Sequence, residues 1–190
     1  MKTLVIYAHP KTEGFCSTIL ESVKNKLEEN NSPYEVLDLY DMNYDPILHE
    51  NEHYTSRGDH KNISEENLKI QEKIKESNKI IFIFPIWWNS VPAILKGFFD
   101  KVFTSPFAFE FSPKGIPIGN LKGKEGIIFT ASGSAKWQNI LFLGDRAIKT
   151  VKNDTLGFCG IKAKAYHVYN ANRLNEDKKN EIRNIIKKAL

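Results

Sequence analysis

Closely spaced cysteines and long hydrophobic runs are both missing from this sequence. Its two cysteines, Cys16 and Cys159 of 190 residues, belong to no CxxC or Cys/His motif. A zinc site or a disulfide framework needs such motifs, so neither is expected, and two free thiols indicate a reducing compartment. The longest apolar stretch is broken by Pro85, Asn89 and Lys96 and is shorter than the ~20 residues of a membrane-spanning helix. These absences predict a cytoplasmic protein without direct membrane insertion.

An excess of one charge is missing as well. The 27 Lys and Arg residues nearly balance the 23 Asp and Glu residues, which leaves a net charge of +4. The basic excess falls on the last predicted helix, where Lys187 and Lys188 are typical of a solvated face with cations near the C-terminus. Nucleic-acid binding is therefore not expected. A signal peptide is not expected either, because His9 and Pro10 follow the short apolar run at 4–7.

Short apolar runs alternate with helical patterns along the whole chain. The runs predict strands near 3–8, 34–39, 79–84, 126–130 and 163–169. The helical patterns lie near 16–30, 65–77, 91–103, 141–155 and 175–189. Ser64 and Asn175 each precede two acidic residues, which is typical of capped helix starts. Five strands, each followed by a helix, predict a single α/β domain over residues 1–190 with a parallel sheet covered on both faces. Both common doubly wound strand orders remain possible.

Two connections are longer than loops usually are. Residues 41–63 are polar and include three irregularly spaced histidines, which favour a solvated loop over a metal site. Residues 104–125 contain three phenylalanines on alternate positions, which need something apolar to cover them. Long connections in compact domains are usually functional. The histidines are His49, His53 and His60, and the phenylalanines are Phe107, Phe109 and Phe111.

In open parallel sheets, ligands bind beyond the carboxyl ends of the strands. The loop after the first predicted strand offers hydroxyl groups at Thr12, Ser17 and Thr18, a glycine and the start of a helix. Such a loop suits a phosphate, although an ordinary capped turn explains it equally well. The loop matches neither the P-loop nor the GxGxxG pattern, so mononucleotide and Rossmann dinucleotide sites lose support.

The loop after the third predicted strand holds two adjacent tryptophans, Trp87 and Trp88. Either one alone is more often a core residue, but the pair just past a strand end favours a stacking wall for an aromatic ligand. Ser90 is expected to cap the following helix, with Pro92 in its first turn. The loop after the fourth strand, residues 130–137, is small and rich in hydroxyls, which suits close approach to a polar ring edge or a flexible surface turn.

Together these segments carry a resemblance to a known family. The chain resembles the NAD(P)H:quinone oxidoreductases with a flavodoxin-like fold, especially the short bacterial flavoproteins. The shared segments are Ala8-His9, Asp38-Leu39-Tyr40, Phe84-Pro85-x-x-Trp88 continuing to Phe103, Phe107-Ala108-Phe109 and Phe158-Cys159-Gly160. They span nearly the whole chain.

The resemblance implies a three-layer sandwich with sheet order 2-1-3-4-5, a bound flavin, and a homodimer with shared active sites. It implies flavin contacts at the loops after strands one, three and four, and a substrate cavity lined by aromatic residues. The implied flavin contacts are His9, Phe15, Cys16, Ser17, Thr18, Pro85, Ile86, Trp87, Trp88, Asn89, Thr130, Ala131, Ser132 and Gly133. The implied substrate contacts are Phe107, Phe109, Phe111 and Trp137.

The implied reaction is hydride transfer from NAD(P)H to the flavin, followed by two-electron reduction of a quinone or similar aromatic acceptor in the same cavity. The expected catalytic groups are the backbone amides of Ser132 and Gly133, as donors to the reduced flavin, and Lys136, as a source of positive potential. Relatives often carry Gln at position 87, and some carry a Tyr and a His in the region matching 137–144. Neither residue type occurs in that region here, so a side-chain proton relay is not expected from it.

Several alternatives remain at this point. The absence of a long C-terminal extension favours FMN over FAD, while the choice between NADH and NADPH stays open. The same sites would also serve a regulatory flavoprotein subunit of a membrane potassium-efflux transporter. A small electron-carrier flavodoxin fits poorly, because such proteins are typically acidic and lack the long aromatic loop. A response regulator needs acidic residues where Ala8-His9 and Phe84-Pro85 stand.

Overall fold

A computed structural model describes residues 2–52 and 63–190. Its centre is a parallel sheet of five strands in the order β2-β1-β3-β6-β7. Counted among the sheet strands alone, this order is 2-1-3-4-5, so the predicted flavodoxin-like fold is confirmed. The strands are β1 Thr3–Tyr7, β2 Tyr34–Asp38, β3 Lys79–Pro85, β6 Glu125–Ala131 and β7 Lys162–Val168.

Helices cover both faces of this sheet and bury two separate apolar layers. One layer packs α2 and α3 against the sheet, and the other packs α1 and α6 against the opposite face. The helices are α1 Phe15–Glu29, α2 Glu65–Glu76, α3 Ala93–Val102, α4 Lys136–Gln138, α5 Arg146–Lys149 and α6 Glu176–Ala189. The three predicted layers are therefore present.

Two predicted helix starts are confirmed and one is wrong. The side chains of Ser64 and Asn175 accept hydrogen bonds from backbone N–H groups in the first turns of α2 and α6. Ser90 does not cap α3, which begins at Ala93 after Pro92 without a side-chain cap. The backbone of Ser90 is instead paired with Trp87, so Ser90 lies too early in the chain to reach the helix.

The predicted helix 141–155 is also wrong as a single element. π-helical segments at Asn139–Leu143 and Thr150–Gly157 flank the short α5. Gly144 and Asp145 between them have left-handed backbone conformations, with φ of 64° and 50°. Two successive left-handed residues end a right-handed helix, so the segment bends there.

The long connection 104–125 is not a plain loop. It forms a small antiparallel hairpin from β4 Phe109–Phe111 and β5 Pro117–Gly119. In the other long connection, His49 pairs with Asp45, with 2.7 Å between Nε2 and Oδ2, next to a 3₁₀ turn at Glu50–Glu52. His53 and His60 lie outside the described residues. Over 2–52 and 63–190, no cluster of three or more His, Cys, Asp or Glu side chains is arranged to hold a metal.

Both cysteines are free and buried, as expected for thiols, and burial raises the pKa of each to about 12. Among the helices that the structure describes, none combines the length and apolarity needed to cross a membrane.

Candidate active site

The loops after β1, β3 and β6 meet at one edge of the sheet, because these strands are neighbours and parallel. The N–H of Ile86, just past β3, donates to the carbonyl of Ala131 at the end of β6, with an N–O distance of 2.9 Å. On the other side, the rings of His9 and Trp87 lie 5.8 Å apart. The structure therefore brings together the three loops that the sequence singles out.

The start of α1 is arranged as a cradle of backbone donors. Gly14 precedes the helix with φ of 118° and no side chain to cap it, which leaves the first-turn N–H groups without a side-chain acceptor. The hydroxyls of Ser17 and Thr18 both donate to the Gly14 carbonyl, at 3.0 and 2.8 Å. The Cys16 thiol is buried in the core, so Cys16 can offer a ligand only its backbone N–H. Phe15 is half-buried beside it.

An open groove of about 930 Å³ continues from this cradle between α1 and α6. Ser17 borders it on one side, and Lys179 and Arg183 border it on the other. Both cations also contact Glu176, at 2.8 and 3.5 Å, which offsets part of their charge. The groove has room for a ligand that extends beyond a phosphate.

Trp88 and Asn89 form a tight turn directly after β3. Trp87 and Ser90 exchange two backbone hydrogen bonds across it, at 2.9 and 3.1 Å. The turn places Trp88 and Asn89 at φ of 52° and 53°, a left-handed conformation that a tryptophan adopts only at a cost. This backbone leaves the Trp88 side chain fully exposed, at 100%, and Trp87 exposed at 40%. Strain that presents a large apolar ring to solvent is typical of a ligand-binding position.

The loop after β6 is held by the neighbouring strand β7. The N–H of Ser132 donates to the carbonyl of Val168 at 3.1 Å, so the expectation that this amide faces a ligand is wrong. The Gly133 amide has no backbone acceptor among residues 2–52 and 63–190 and stays a candidate donor. A side chain at Gly133 would collide with the Asn172 carboxamide, which itself donates to the Gly133 carbonyl at 3.2 Å.

His167 is a polar residue of this site that the sequence reasoning missed. It lies opposite Thr130 in the β6–β7 pairing, and its Nδ1 is 2.5 Å from the Thr130 hydroxyl. Its Nε2 is 2.9 Å from the hydroxyl of Ser132. Desolvation lowers the pKa of His167 to about 4, partly countered by the negative charge of Asp145, so the ring is neutral at pH 7. The sheet order places β7 beside β6, but the register of their pairing is what sets His167 opposite Thr130.

Aromatic side chains form a second wall across a smaller groove. Phe109 and Phe111 of the hairpin pack on Phe158, with ring centroids 4.9 and 6.3 Å from that ring. A groove of about 250 Å³ separates this cluster from Asn89 and neighbouring residues of α3. Phe107 does not join them; it lies half-buried, with the ammonium of Lys75 5.9 Å from its ring. The sequence singles out Phe158 only within the shared segment Phe158-Cys159-Gly160 and does not predict its place in this wall.

An exposed apolar segment borders the tryptophan turn. Its four large apolar side chains are more than half exposed, and Trp137 makes an edge contact with Phe142. The Asn89 side chain donates to the Leu143 carbonyl at 3.3 Å and so links this segment to the turn. Lys136 is exposed at its start. The exposed apolar members are Trp137, Ile140, Leu141 and Phe142. Such a patch marks an interaction surface.

Comparison with known proteins gives a family and close relatives. Residues 1–190 match the model of the family described as having a flavodoxin-like fold. The chain is 30% identical to a Haemophilus influenzae protein named as an uncharacterized NAD(P)H oxidoreductase, covering 94% of this chain and 88% of that protein. It is 32% identical to mouse ribosyldihydronicotinamide dehydrogenase (quinone), covering 86% and 79%. The crystal structure of Smu.1420 from Streptococcus mutans matches at a TM-score of 0.86 and 31% identity, over 100% of this chain and 98% of that one.

Proposed function

This chain belongs to the flavodoxin-like fold family, and we propose that it is a flavin-dependent NAD(P)H oxidoreductase that reduces quinones or similar aromatic acceptors. The names of its relatives support an NAD(P)H dehydrogenase of the quinone type. The observation that carries the proposal is the meeting of three loops at one sheet edge: a donor cradle, an indole wall and a hydroxyl-rich loop. None of the relatives described above is named as a transporter subunit.

The residues at this edge fit a flavin. In the described part of the chain no side chain caps the N–H groups at the start of α1, and such donors at the positive end of a helix suit its phosphate. Trp87 and Trp88 supply flat apolar surface for the ring system. The Gly133 amide and the Ser132 hydroxyl lie on the neighbouring loop, where the polar edge of the ring needs donors.

A bound flavin supplies the redox chemistry, because it takes a hydride from NAD(P)H and returns two electrons to the acceptor. The protein holds and orients the participants. The apolar walls exclude water from the transfer, and Lys136 adds positive potential beside the site. Donor and acceptor take turns in one cleft, which gives parallel lines in initial-velocity plots. Intersecting lines would contradict alternation.

A homodimer with shared active sites completes the proposal. The monomer leaves large apolar side chains exposed beside the tryptophan turn, with Leu141 at 70% and Phe142 at 67%. Phe109, Phe111 and Phe158 form a partly exposed apolar wall of their own, in which Phe109 is half-buried. A second copy would cover these surfaces and bring its aromatic wall to the cleft of the first. Cytoplasmic residence stays a prediction.

Mass identification of the flavin released by heat from the loaded protein tests the proposal. We expect FMN; FAD would correct the cofactor and assign the groove between α1 and α6 to its adenosine part. A protein that retains no flavin contradicts the proposed function.

Ser17→Asp is the matched variant for this experiment. A carboxylate in the first turn of α1 stabilises the helix but repels a phosphate at the same amides. We expect flavin binding to weaken at least tenfold while the free energy of unfolding is kept. Unchanged binding would place the phosphate elsewhere.

A further inference from the structure

A chain of hydrogen bonds runs from β7 into the loop after β6. The imidazole of His167 bridges the hydroxyls of Thr130 and Ser132, at 2.5 and 2.9 Å. The Ser132 hydroxyl lies 2.7 Å from that of Ser134, which in turn accepts from the side-chain amide of Asn139 at 2.6 Å. Thr130 is fully buried and Asn139 nearly so. One histidine thus ties Thr130 of β6 and Ser132 of the following loop to the neighbouring strand.

The histidine tautomer sets the direction of the Ser132 hydroxyl. With its hydrogen on Nδ1, His167 donates to Thr130 and accepts from Ser132, whose hydroxyl hydrogen then points at β7. With its hydrogen on Nε2, His167 accepts from Thr130 and donates to Ser132, which frees the Ser132 hydrogen for Ser134 or a ligand. A doubly protonated ring forces the second direction as well, because both of its nitrogens donate.

Burial favours the neutral ring of His167, whereas the negative charge of Asp145 favours the protonated ring and offsets burial only in part. Tyr169 packs edge-on against His167 with ring centroids 4.3 Å apart, and Asp145 is the one charged group that acts on both of these rings among the described residues. The Oδ1 of Asp145 is buried and has no hydrogen-bond partner in the described part of the chain, so this oxygen makes no hydrogen bond to the imidazole. The hydroxyls of Thr130 and Ser132 remain the partners of His167.

We propose that His167 is a positioning residue of the flavin site, which acts through Ser132 by fixing its hydroxyl and the loop 130–134 against β7. The Ser132 backbone amide is used by Val168, so the Ser132 side chain is what this residue can present to a ligand. His167 controls that side chain directly. The link to flavin rests on the proposed function. The contacts of His167 with Thr130 and Ser132, which we call the clamp, are a property of the flavin-free protein.

Three substitutions separate positioning from packing. His167→Phe keeps a ring beside Tyr169 but removes both hydrogen bonds. His167→Asn keeps a polar group near the Nδ1 position and so retains the contact with Thr130, while His167→Gln reaches the Nε2 position and retains the contact with Ser132. Tyr166→Phe is the control on the same strand, because Tyr166 stacks on Phe129 and not on the clamp.

Flavin dissociation constants and the visible spectrum of bound flavin are measured for each variant. We expect roughly tenfold weaker binding and an altered spectrum for the Phe and Asn variants, since a hydrogen bond to Ser132 is lost in both. The Gln variant and the control should stay within about twofold of the unmodified chain. Equal weakening in Gln and Asn, or full affinity in Phe, overturns the positioning role.

Nitrogen NMR of the histidine ring in the flavin-free protein tests the clamp separately. We expect two distinct ring-nitrogen signals from one tautomer at pH 7 and a titration near the pKa of about 4. Averaged signals and an ordinary histidine titration overturn the clamp. If the unmodified chain binds no flavin, the proposed function fails, and this measurement still decides whether His167 holds the loop.

Discussion

The turn after β3 and the loop after β6 follow neighbouring strands, yet only the loop is also held by a side-chain network. The turn is fixed by two backbone hydrogen bonds between Trp87 and Ser90, and it carries its strain in the backbone of Trp88. The loop is fixed by backbone hydrogen bonds to β7 and the residues after it and, in addition, by side chains, because His167 contacts the hydroxyls of Thr130 and Ser132. The turn presents an indole to solvent, whereas the loop holds most of its polar groups in internal hydrogen bonds.

The tryptophan turn is therefore an exposed apolar surface, whereas the loop after β6 is already hydrogen-bonded in the monomer. Fully exposed apolar rings gain nothing in the isolated monomer, so their value lies in what they bind. Buried hydrogen-bonded groups contribute to folding itself, and losing one partner leaves the other unsatisfied. Changes at the apolar side should therefore affect association, while changes at the polar side should affect stability.

Leu141→Asp breaks the apolar side and has the largest expected effect. Leu141 is 70% exposed in the monomer, so a carboxylate there costs the monomer little. In the proposed dimer it would be buried without a partner, which costs about 3 kcal/mol or more and weakens association at least a hundredfold. Sedimentation at a series of concentrations measures the dissociation constant.

Leu68→Asp is the matched control for this substitution. Leu68 lies on α2 and is 46% exposed, away from the tryptophan turn. We expect it to leave the dissociation constant unchanged. A Leu141 variant that remains dimeric would show that the segment 137–142 faces no partner copy.

Thr130→Val breaks the polar side. Valine keeps the volume of this fully buried residue but removes the hydroxyl that contacts Nδ1 of His167. The imidazole then loses a buried partner, and we expect the free energy of unfolding of the flavin-free protein to fall by about 2 kcal/mol. Urea unfolding measures it. Thr3→Val, an equally buried threonine at the other end of the sheet, should change it much less; equal losses would mean that hydroxyl burial, not the clamp, matters.

The sheet and its edge follow from the sequence because they depend on local patterns. Residues 80–84 of β3 form an unbroken apolar run before Pro85, and residues 4–7 of β1 form another, so each predicts a buried parallel strand. The tryptophan turn was recognised from its residue types and position alone. The predicted parallel strands therefore place the three loops together at the carboxyl edge of the sheet, where the structure has them.

Features that depend on pairing between distant segments did not follow from the sequence. The N–H of Ser132 is taken by Val168, and His167 reaches Thr130, only because β6 and β7 are neighbours in a particular register. The predicted helix 141–155 also runs through Gly144 and Asp145, although glycine and aspartate are among the residues that adopt the left-handed conformation most readily. The sequence predicts where the candidate residues lie, but not which groups they hydrogen-bond to.

Trp88→Gly tests the strained turn. It has the smallest expected change in the free energy of unfolding, and this change is an increase. A side chain in the left-handed region costs about 1 to 2 kcal/mol, and glycine removes this cost while losing about 0.5 to 1 kcal/mol through its freer unfolded chain. Because the exposed indole contributes no buried contact, we expect urea unfolding to show a gain of about 0.5 to 1 kcal/mol in the flavin-free protein, together with weaker flavin binding. Trp87→Gly has no positive φ to relieve and loses the contact with His9, so it should lower stability. A loss of stability in both variants would mean that Trp88 supports the fold rather than the ligand.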